Sequence, residues 1–521
     1  MSLLPRRIRA SSGGDLLVGG LVCLGILALA VMAPDNVGKL LAALAVGGLV
    51  GVLALSDPLL ALLLVVGASF FRLAQKEVVS SELLAPALYV LLVAVALAVA
   101  RGDKRTPQLG VVEWLMAAYL AWNVTSWLLP HQYEAIDPDS GAAASVYRWI
   151  FTGAVLPFVV YMVAKCVLDD ERGVRWVLWA SVGMSAYSAW VSIVQFHGPK
   201  SLVWPSYIVD SPNWAGRANG VFNQPVVNGM ILDIGFVACL FLASRPGTRR
   251  SVQLLLHAIA AASAYSVYLT HTRVALLALV VAVGLGIVFA AGWRRGFVAS
   301  GALGLVAVAA NASSVFSSNR FAGGVGSSDE VYDRLNIIAT ALRALSEHPF
   351  VGLGIARFQV YNTYHHVAWS QDVAWNRGYG LISHENEVGI AAELGIPGVL
   401  FWVAVLVTIL WLLWRAMREL PRDTVLGAPL ALVGAIAMVT MVVNGVTVEL
   451  RILDFATLLP FLYAGMVVGQ LERHRAKRAG LRPGVPGGGL PGGMSPDAQR
   501  GWRAGDQTST GPAGRPLRPV R

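Results

Sequence analysis

An all-α bundle embedded in lipid is the architecture to expect from three features of this chain. Of its 521 residues 56% are hydrophobic and only 13% are charged, and the mean hydropathy is +0.62. Apolar runs long enough to cross a hydrocarbon core recur along almost its whole length, and the Lys and Arg of the short loops between them segregate to alternate loops. A soluble fold is excluded, because no water-facing surface could be assembled from so few charges.

Taken in order, the apolar runs lie near 16–33, 39–55, 58–70, 83–100, 110–130, 149–168, 174–195, 226–244, 252–270, 274–292, 296–312, 388–414, 424–444 and 454–471. The run at 58–70 is short, so about twelve to fourteen spans are expected. Basic residues precede the first run as in a signal peptide, but the many spans that follow favour an uncleaved first helix. With the spans alternating, "RRIR" at the start, "RGDKR" at 101–105, "RPGTRR" at 245–250, "WRR" at 293–295, "RAMRELPR" at 415–422 and the C-terminal tail share one side. By the positive-inside rule that side is the cytoplasm, which puts both termini there.

The opposite side then receives 71–82, 131–147, about 196–225, the short turn 270–273 and the long stretch 313–383. The segment 196–225 runs into "SPNWAGRANGVFNQPVVNG", rich in Gly, Pro and Asn and therefore loop or broken helix. The stretch 313–383 holds "DEVYDRLNIIATALRALSEH", with Leu335, Ile338, Leu342 and Leu345 at helical spacing, which predicts an amphipathic helix. A loop of that length with its own helix exceeds a passive connector. Residues 1–471 thus form a transmembrane bundle with two large outer segments, and 472–521 a Gly/Pro-rich basic tail expected to be disordered.

The formal charge of +10 suggests nucleic acid until it is located: from Glu472 onward 10 Lys or Arg stand against 3 Asp or Glu. A basic tail beside a membrane points to anionic lipid headgroups, and no aromatic-basic module supports nucleic-acid binding. Cys23, Cys166 and Cys239 all fall in apolar runs without ligand spacing and read as small core residues.

Three outward spots join a charged residue to a span boundary: Arg217 in "GRANGVFNQP", Arg273 in "THTR" and His384 in "SHENEVGIAAELGIPG". Interfacial arginines commonly only snorkel, but a pair of guanidiniums also suits a diphosphate, each offering forked donors and a permanent charge. For His384 the plain reading is a helix start capped by Ser383, with Glu385 and Glu387 complementing the dipole. Imidazole is equally the side chain suited to taking a proton near neutral pH, and neighbouring carboxylates would raise its basicity. Glu393, on another face and deeper in the apolar segment, needs a partner inside the bundle. "HENE" lacks the second histidine of a zinc motif, and "DPD" at 137–139 reads as a turn before it reads as a metal site.

In this order and topology the segments resemble the O-antigen ligase and polymerase superfamily of bacterial envelopes. The family's recurring features correspond to Arg217 to Pro225, Thr272-Arg273 opening a span, Pro349 to Gly354 in the long loop, and His384 followed nine residues later by Glu393 and Gly395. The resemblance covers roughly 200 to 450. Two positions depart from it: Glu385 stands where the family usually has Asn after the histidine, and Val226 follows the proline, with Asn228 two positions on.

The resemblance implies an integral-membrane glycosyltransferase of the GT-C type. It would transfer a glycan from a polyprenyl-diphosphate carrier to an acceptor hydroxyl at the outer face of the bacterial cytoplasmic membrane. His384 would act on the acceptor's proton, while Arg217, Arg273, Glu385 and Glu393 would engage the substrates. The donor brings its own leaving group, so no cofactor and no metal are expected, and direct attack inverts the anomeric centre. Two sizeable polar outer segments favour a polymerase over a ligase. A polytopic transporter or flippase is the alternative, though no internal repeat supports it.

Overall fold

The computed structural model describes residues 48, 51, 54–77, 82–138, 140–209, 211, 214–317 and 329–480. The expected spans near 16–33 and almost all of 39–55, Cys23, Asp139 and the tail beyond residue 480 lie outside the described residues. Residues up to Arg475 make one compact unit and 476–521 a second.

The described chain is helical throughout, with one isolated antiparallel bridge, Ile136 to Ala143. The bundle opens with α1 (Pro58–Phe70), α2 (Leu84–Ala100), α3 (Val111–Leu128), α4 (Val146–Val167), α5 (Glu171–His197), α6 (Pro225–Ala243), α7 (Arg250–Leu269), α8 (Arg273–Phe289) and α9 (Arg295–Ala310). After an interposed helix α10 (Asp329–Glu347) and a short α11 (Phe358–Tyr364) come α12 (Asn386–Glu419), α13 (Ala428–Gly445) and α14 (Asp454–Arg478). Seven of them, α4 to α7 and α12 to α14, are long and apolar enough to cross a membrane; α1, α2, α8 and α9 are shorter apolar helices. Twelve of the fourteen apolar runs therefore coincide with described helices, as expected of a polytopic membrane protein.

Helix starts follow local chemistry. Asp57 caps α1, accepting from the Leu59 amide at 2.9 Å with Pro58 in the first turn, and Asp170 caps α5 through the Gly173 amide at 2.7 Å. The centre of the bundle is α6, every residue of which is buried, packed against α5, α7, α8 and α13. Many exposed residues on the outlying helices are large and apolar, among them Leu303, Leu305 and Val280, as a lipid-facing surface requires.

The two ends of the bundle differ. At one, Lys165 of α4 is buried between Glu113, Glu472 (2.7 Å) and the Gln108 carbonyl (2.9 Å), and Arg475 pairs with Glu419 at 2.8 Å, so 104–108, 165–170, 419 and 472–475 meet there. The other end gathers 131–145, 198–224, 270–273, 329–386 and 446–454.

Helix α12 holds the break that shapes this second end. Gly395 has φ 68° and ψ −170°, a conformation open essentially only to glycine, and Pro397 follows. The kink strands backbone groups that the segment Pro349–Gly354 takes up. The Ile396 amide donates to Pro349 O (2.8 Å), and the Leu353 and Gly354 amides donate to the carbonyls of Ala392 and Glu393 (2.9 Å each). The fit is tight enough that a Cβ on Gly352 would lie 2.4 Å from the Glu393 carbonyl carbon. Two sequence motifs forty residues apart are thus one structural unit.

The expected amphipathic helix exists as α10, but its buried stripe is Asn336, Ile337, Thr340, Ala341 and Ala344, while Leu342 is 54% exposed. Small and polar residues face inward because they bind loop backbone: Asn336 donates to the carbonyls of Ala374 (3.0 Å) and Arg377 (2.9 Å) and accepts from the Trp369 amide at 2.8 Å, and Thr340 accepts from the Val367 amide at 3.0 Å. The buried stripe is therefore offset from the one hydrophobic spacing marks, with Leu335, Ile338 and Leu345 half-buried along its edge.

Candidate active site

Arg217 sits on a loop held from below by Asn228. The Asn228 amide donates to Ser192 Oγ at 3.0 Å and to the Ala218 carbonyl at 3.1 Å, while the Ala218 amide bonds Leu269 O at 2.9 Å. The guanidinium then donates to Thr270 O (3.1 Å) and Thr272 Oγ1 (2.6 Å) and stacks on Trp214 with 5.0 Å to the ring centre. Since Thr272 is the N-cap of α8 and Arg273 its first residue, Arg217 and Arg273 are brought to one corner.

Arg334 of α10 joins them. Its charge acts on Arg217, Arg273, His384 and Glu385, which makes it the centre of the cluster. Among the described residues none of these three arginines forms an ion pair with a carboxylate within 4 Å, and one terminal nitrogen of Arg273 is buried without a hydrogen-bond partner. Burial, with Arg334 adding repulsion, lowers Arg217 to about 10. Sequence reading passed over Arg334 because it lies in a helix whose leucines drew attention; the available signal was an arginine at the edge of an outward amphipathic stripe.

His384 lies just before α12, not on it. The N-cap is Glu385 and the first helical residue Asn386, so helical spacing does not relate His384 to Glu387, and Ser383 instead accepts from the Glu385 amide at 3.3 Å and donates to the Glu385 carbonyl at 2.8 Å. Burial and then Arg334 hold the imidazole below the ordinary histidine range, with Asp333 opposing. The expectation of a base strengthened by neighbouring carboxylates is not met, because burial first and the Arg334 cation second outweigh Asp333. Glu385 is buried, with one oxygen unpartnered, and burial pushes it up to about 7 despite Arg334, Glu387 contributing in the same direction as burial.

Glu393 is apart from this group. Its carboxylate accepts from the amides of Arg357 (3.0 Å) and Phe358 (3.1 Å) and pairs with Arg451 at 2.9 Å, so the partner it required is Arg451, between α13 and α14. Arg451 also binds Glu449 through two nitrogens (2.8 and 2.7 Å) and stacks on Trp149. Burial alone would lower Arg451, but the carboxylates of Glu449 and Glu393 outweigh it and hold it above the ordinary arginine range.

Beside these two groups a cavity of about 520 Å³ opens between the 136–145 hairpin, the start of α4, residues 356–359, 382–383 and 449–453. Of "DPD", whose Asp139 lies outside the described residues, Asp137 opens the turn of that hairpin: Gly141 N donates to Asp137 O at 2.8 Å and Ser140 Oγ to Asp137 Oδ2 at 2.7 Å. Among the described residues no three His, Cys, Asp or Glu side chains cluster as a metal site.

Chemically the corner at Arg217, Arg273 and Arg334 can hold a multiply charged anion by forked donors, with a neutral imidazole beside it able to accept a proton. Residues 258–403 match the family model described as O-Antigen ligase, which supports the superfamily of O-antigen ligases and polymerases. The matched segment takes in Arg273, Arg334, His384, Glu385 and Glu393, while Arg217 lies outside it. No curated protein shows significant similarity to the chain.

Proposed function

We propose that this chain, an integral membrane protein with an O-antigen ligase segment, transfers a glycan from a polyprenyl diphosphate to an acceptor hydroxyl at the outer face of the cytoplasmic membrane, with both termini in the cytoplasm. The observation that carries the reading is the set of arginines without carboxylate partners around His384. Holding half-buried cations together without ion-paired carboxylates is unfavourable, and an anionic ligand would offset it.

In this reading Arg217, Arg273 and Arg334 bind the diphosphate and neutralise it as it departs. His384, neutral at physiological pH because its affinity for protons is lowered, accepts the proton of the attacking hydroxyl. The hydroxyl attacks the anomeric carbon from the face opposite the diphosphate, the bond to the phosphate oxygen breaks, and the configuration inverts. Glu385 adjusts the charge of the arginine corner, and Glu393 shapes the site through the Pro349–Gly354 segment. The diphosphate is already an activated leaving group, so transfer should persist in EDTA.

Purified protein reconstituted with lipid-linked glycan from the native membranes tests this. Wild type should transfer glycan and His384→Ala should not, although it inserts and binds the lipid-linked glycan normally. Undiminished transfer by His384→Ala would overturn the assignment. Between the two branches, the paired outer segments favour a polymerase, whose deletion leaves single repeat units; full-length chains retained on the polyprenyl carrier would identify a ligase.

One observation favours a flippase instead. Asp233, midway along α6, is fully buried with both carboxylate oxygens unpartnered, as a proton-coupled carrier would use. If Asp233→Asn stops movement of lipid-linked glycan across vesicle membranes while the wild type shows no glycan transfer, transport replaces the transferase reading.

A further inference from the structure

We propose that the cavity of about 520 Å³ ending at Ser383 is the subsite for the acceptor, and that it takes a neutral sugar chain. The proposal rests on the transferase reading above. The volume lies inside the range of about 300–1,000 Å³ typical of small-ligand sites. None of the three site arginines lines it, so it is distinct from the corner that suits a diphosphate.

Its lining has the chemistry of polyol recognition. Asp137 and Gln359 line it with planar hydrogen-bonding groups, Arg148 stands exposed beside it, and the half-buried Trp149 supplies a ring against which a sugar can lie. The charge balance does not favour an anion, since Asp137, Glu393 and Glu449 line the cavity and the nearby cations are Arg148 and, behind the wall, Arg451, which already pairs with both glutamates. Behind the wall, Arg451 holds both glutamates, and Glu393 in turn holds the amides of Arg357 and Phe358, so the lining is set before any ligand arrives.

Position assigns the occupant. Ser383 lines the cavity and is the residue before His384, whose imidazole is subject to Arg334 and Asp333. A sugar chain filling the cavity thus has its terminal hydroxyl delivered at the histidine, between a pole for neutral sugar and a pole for diphosphate. The two poles explain how one site admits two glycans without exchanging them.

The test uses the full chain in lipid nanodiscs and two probes. One is the oligosaccharide freed by mild acid from the native lipid-linked glycan; the other is polyprenyl diphosphate without sugar. Gln359→Ala and the filling substitution Ala143→Trp should each weaken oligosaccharide binding by about tenfold or more and raise the half-saturating acceptor concentration equally, a loss of about 1.4 kcal/mol. Both should leave polyprenyl diphosphate binding within about twofold. Unchanged oligosaccharide binding in both variants, or parallel loss of diphosphate binding, overturns the assignment. If the variants keep normal transfer, the cavity assignment falls and the transferase reading stands. If the wild type transfers nothing while the variants lose oligosaccharide binding, the transferase reading falls and the sugar subsite stands.

Discussion

Arg451 and the corner formed by Arg217, Arg273 and Arg334 sit at the same end of the bundle and differ in their counter-ions. Arg451 is 3% exposed, with Glu449 and Glu393 both bound to it, and its charge is reinforced. Arg217 is pushed the other way by burial and by Arg334, and Arg334 by burial against the opposing charge of Glu385, with Arg273 adding repulsion. A buried arginine paired with carboxylates is a structural bond, whereas arginines held together without ion pairs fit the proposed binding of an anion. The difference in pairing goes with one in exposure, since Arg451 is buried and Arg217, Arg273 and Arg334 are half-buried.

The comparison can be broken most forcefully at Arg451. Arg451→Met leaves Glu449 and Glu393 buried without a cation and should cost about 3–5 kcal/mol of stability, read by unfolding in detergent. Adding Glu393→Gln and Glu449→Gln to Arg451→Met should recover part of that loss; if the single variant unfolds like the wild type, Arg451 is not the structural bond described. At the other pole, Arg273→Ala should lower transfer by about 10²–10³-fold while stability holds or rises, because a repulsive charge has gone. Arg273→Lys should also fall short, since a point charge replaces the fork. A loss of stability like that of Arg451→Met would erase the distinction.

Between the poles, Gly395→Ala should destabilise by about 1–3 kcal/mol through backbone strain, with its Cβ only 2.4 Å from Phe350 O, and transfer should decline as Pro349–Gly354 detaches. The smallest effect concerns pH. Burial pushes Glu385 up to about 7, so its carboxyl gains charge as pH rises through that value and then offsets Arg334. Polyprenyl diphosphate should therefore bind a few-fold more weakly as pH rises from about 6 to about 8, and Glu385→Gln should flatten that component. An unaltered pH profile in Glu385→Gln would place the titration elsewhere.

Much of the fold was legible because membrane spans are written in composition: twelve apolar runs became helices near their expected limits. The site was legible in part. Arg217, Arg273 and His384 stood out as polar residues at span ends, and Arg217 with Arg273 do meet through Thr270 and Thr272. Arg334 was hidden inside a helix whose leucine spacing marked only the edge of its buried stripe, and the start of α12 fell two residues later than Ser383 suggested. Glu393 was rightly expected to need an internal partner, but nothing local names Arg451, which lies 58 positions away.

By itself, then, the sequence determined a helical membrane protein, the succession of its spans, and a set of polar residues too costly to stand at span ends without a reason. These follow from the transfer of side chains and backbone out of water, which each segment undergoes largely alone. Which cations are paired was decided only by tertiary structure, as was the joining of Pro349–Gly354 to the Gly395 kink. Counter-ions and stranded carbonyls are satisfied by whichever distant groups packing brings within about 3 Å, and that distance is a property of the folded bundle.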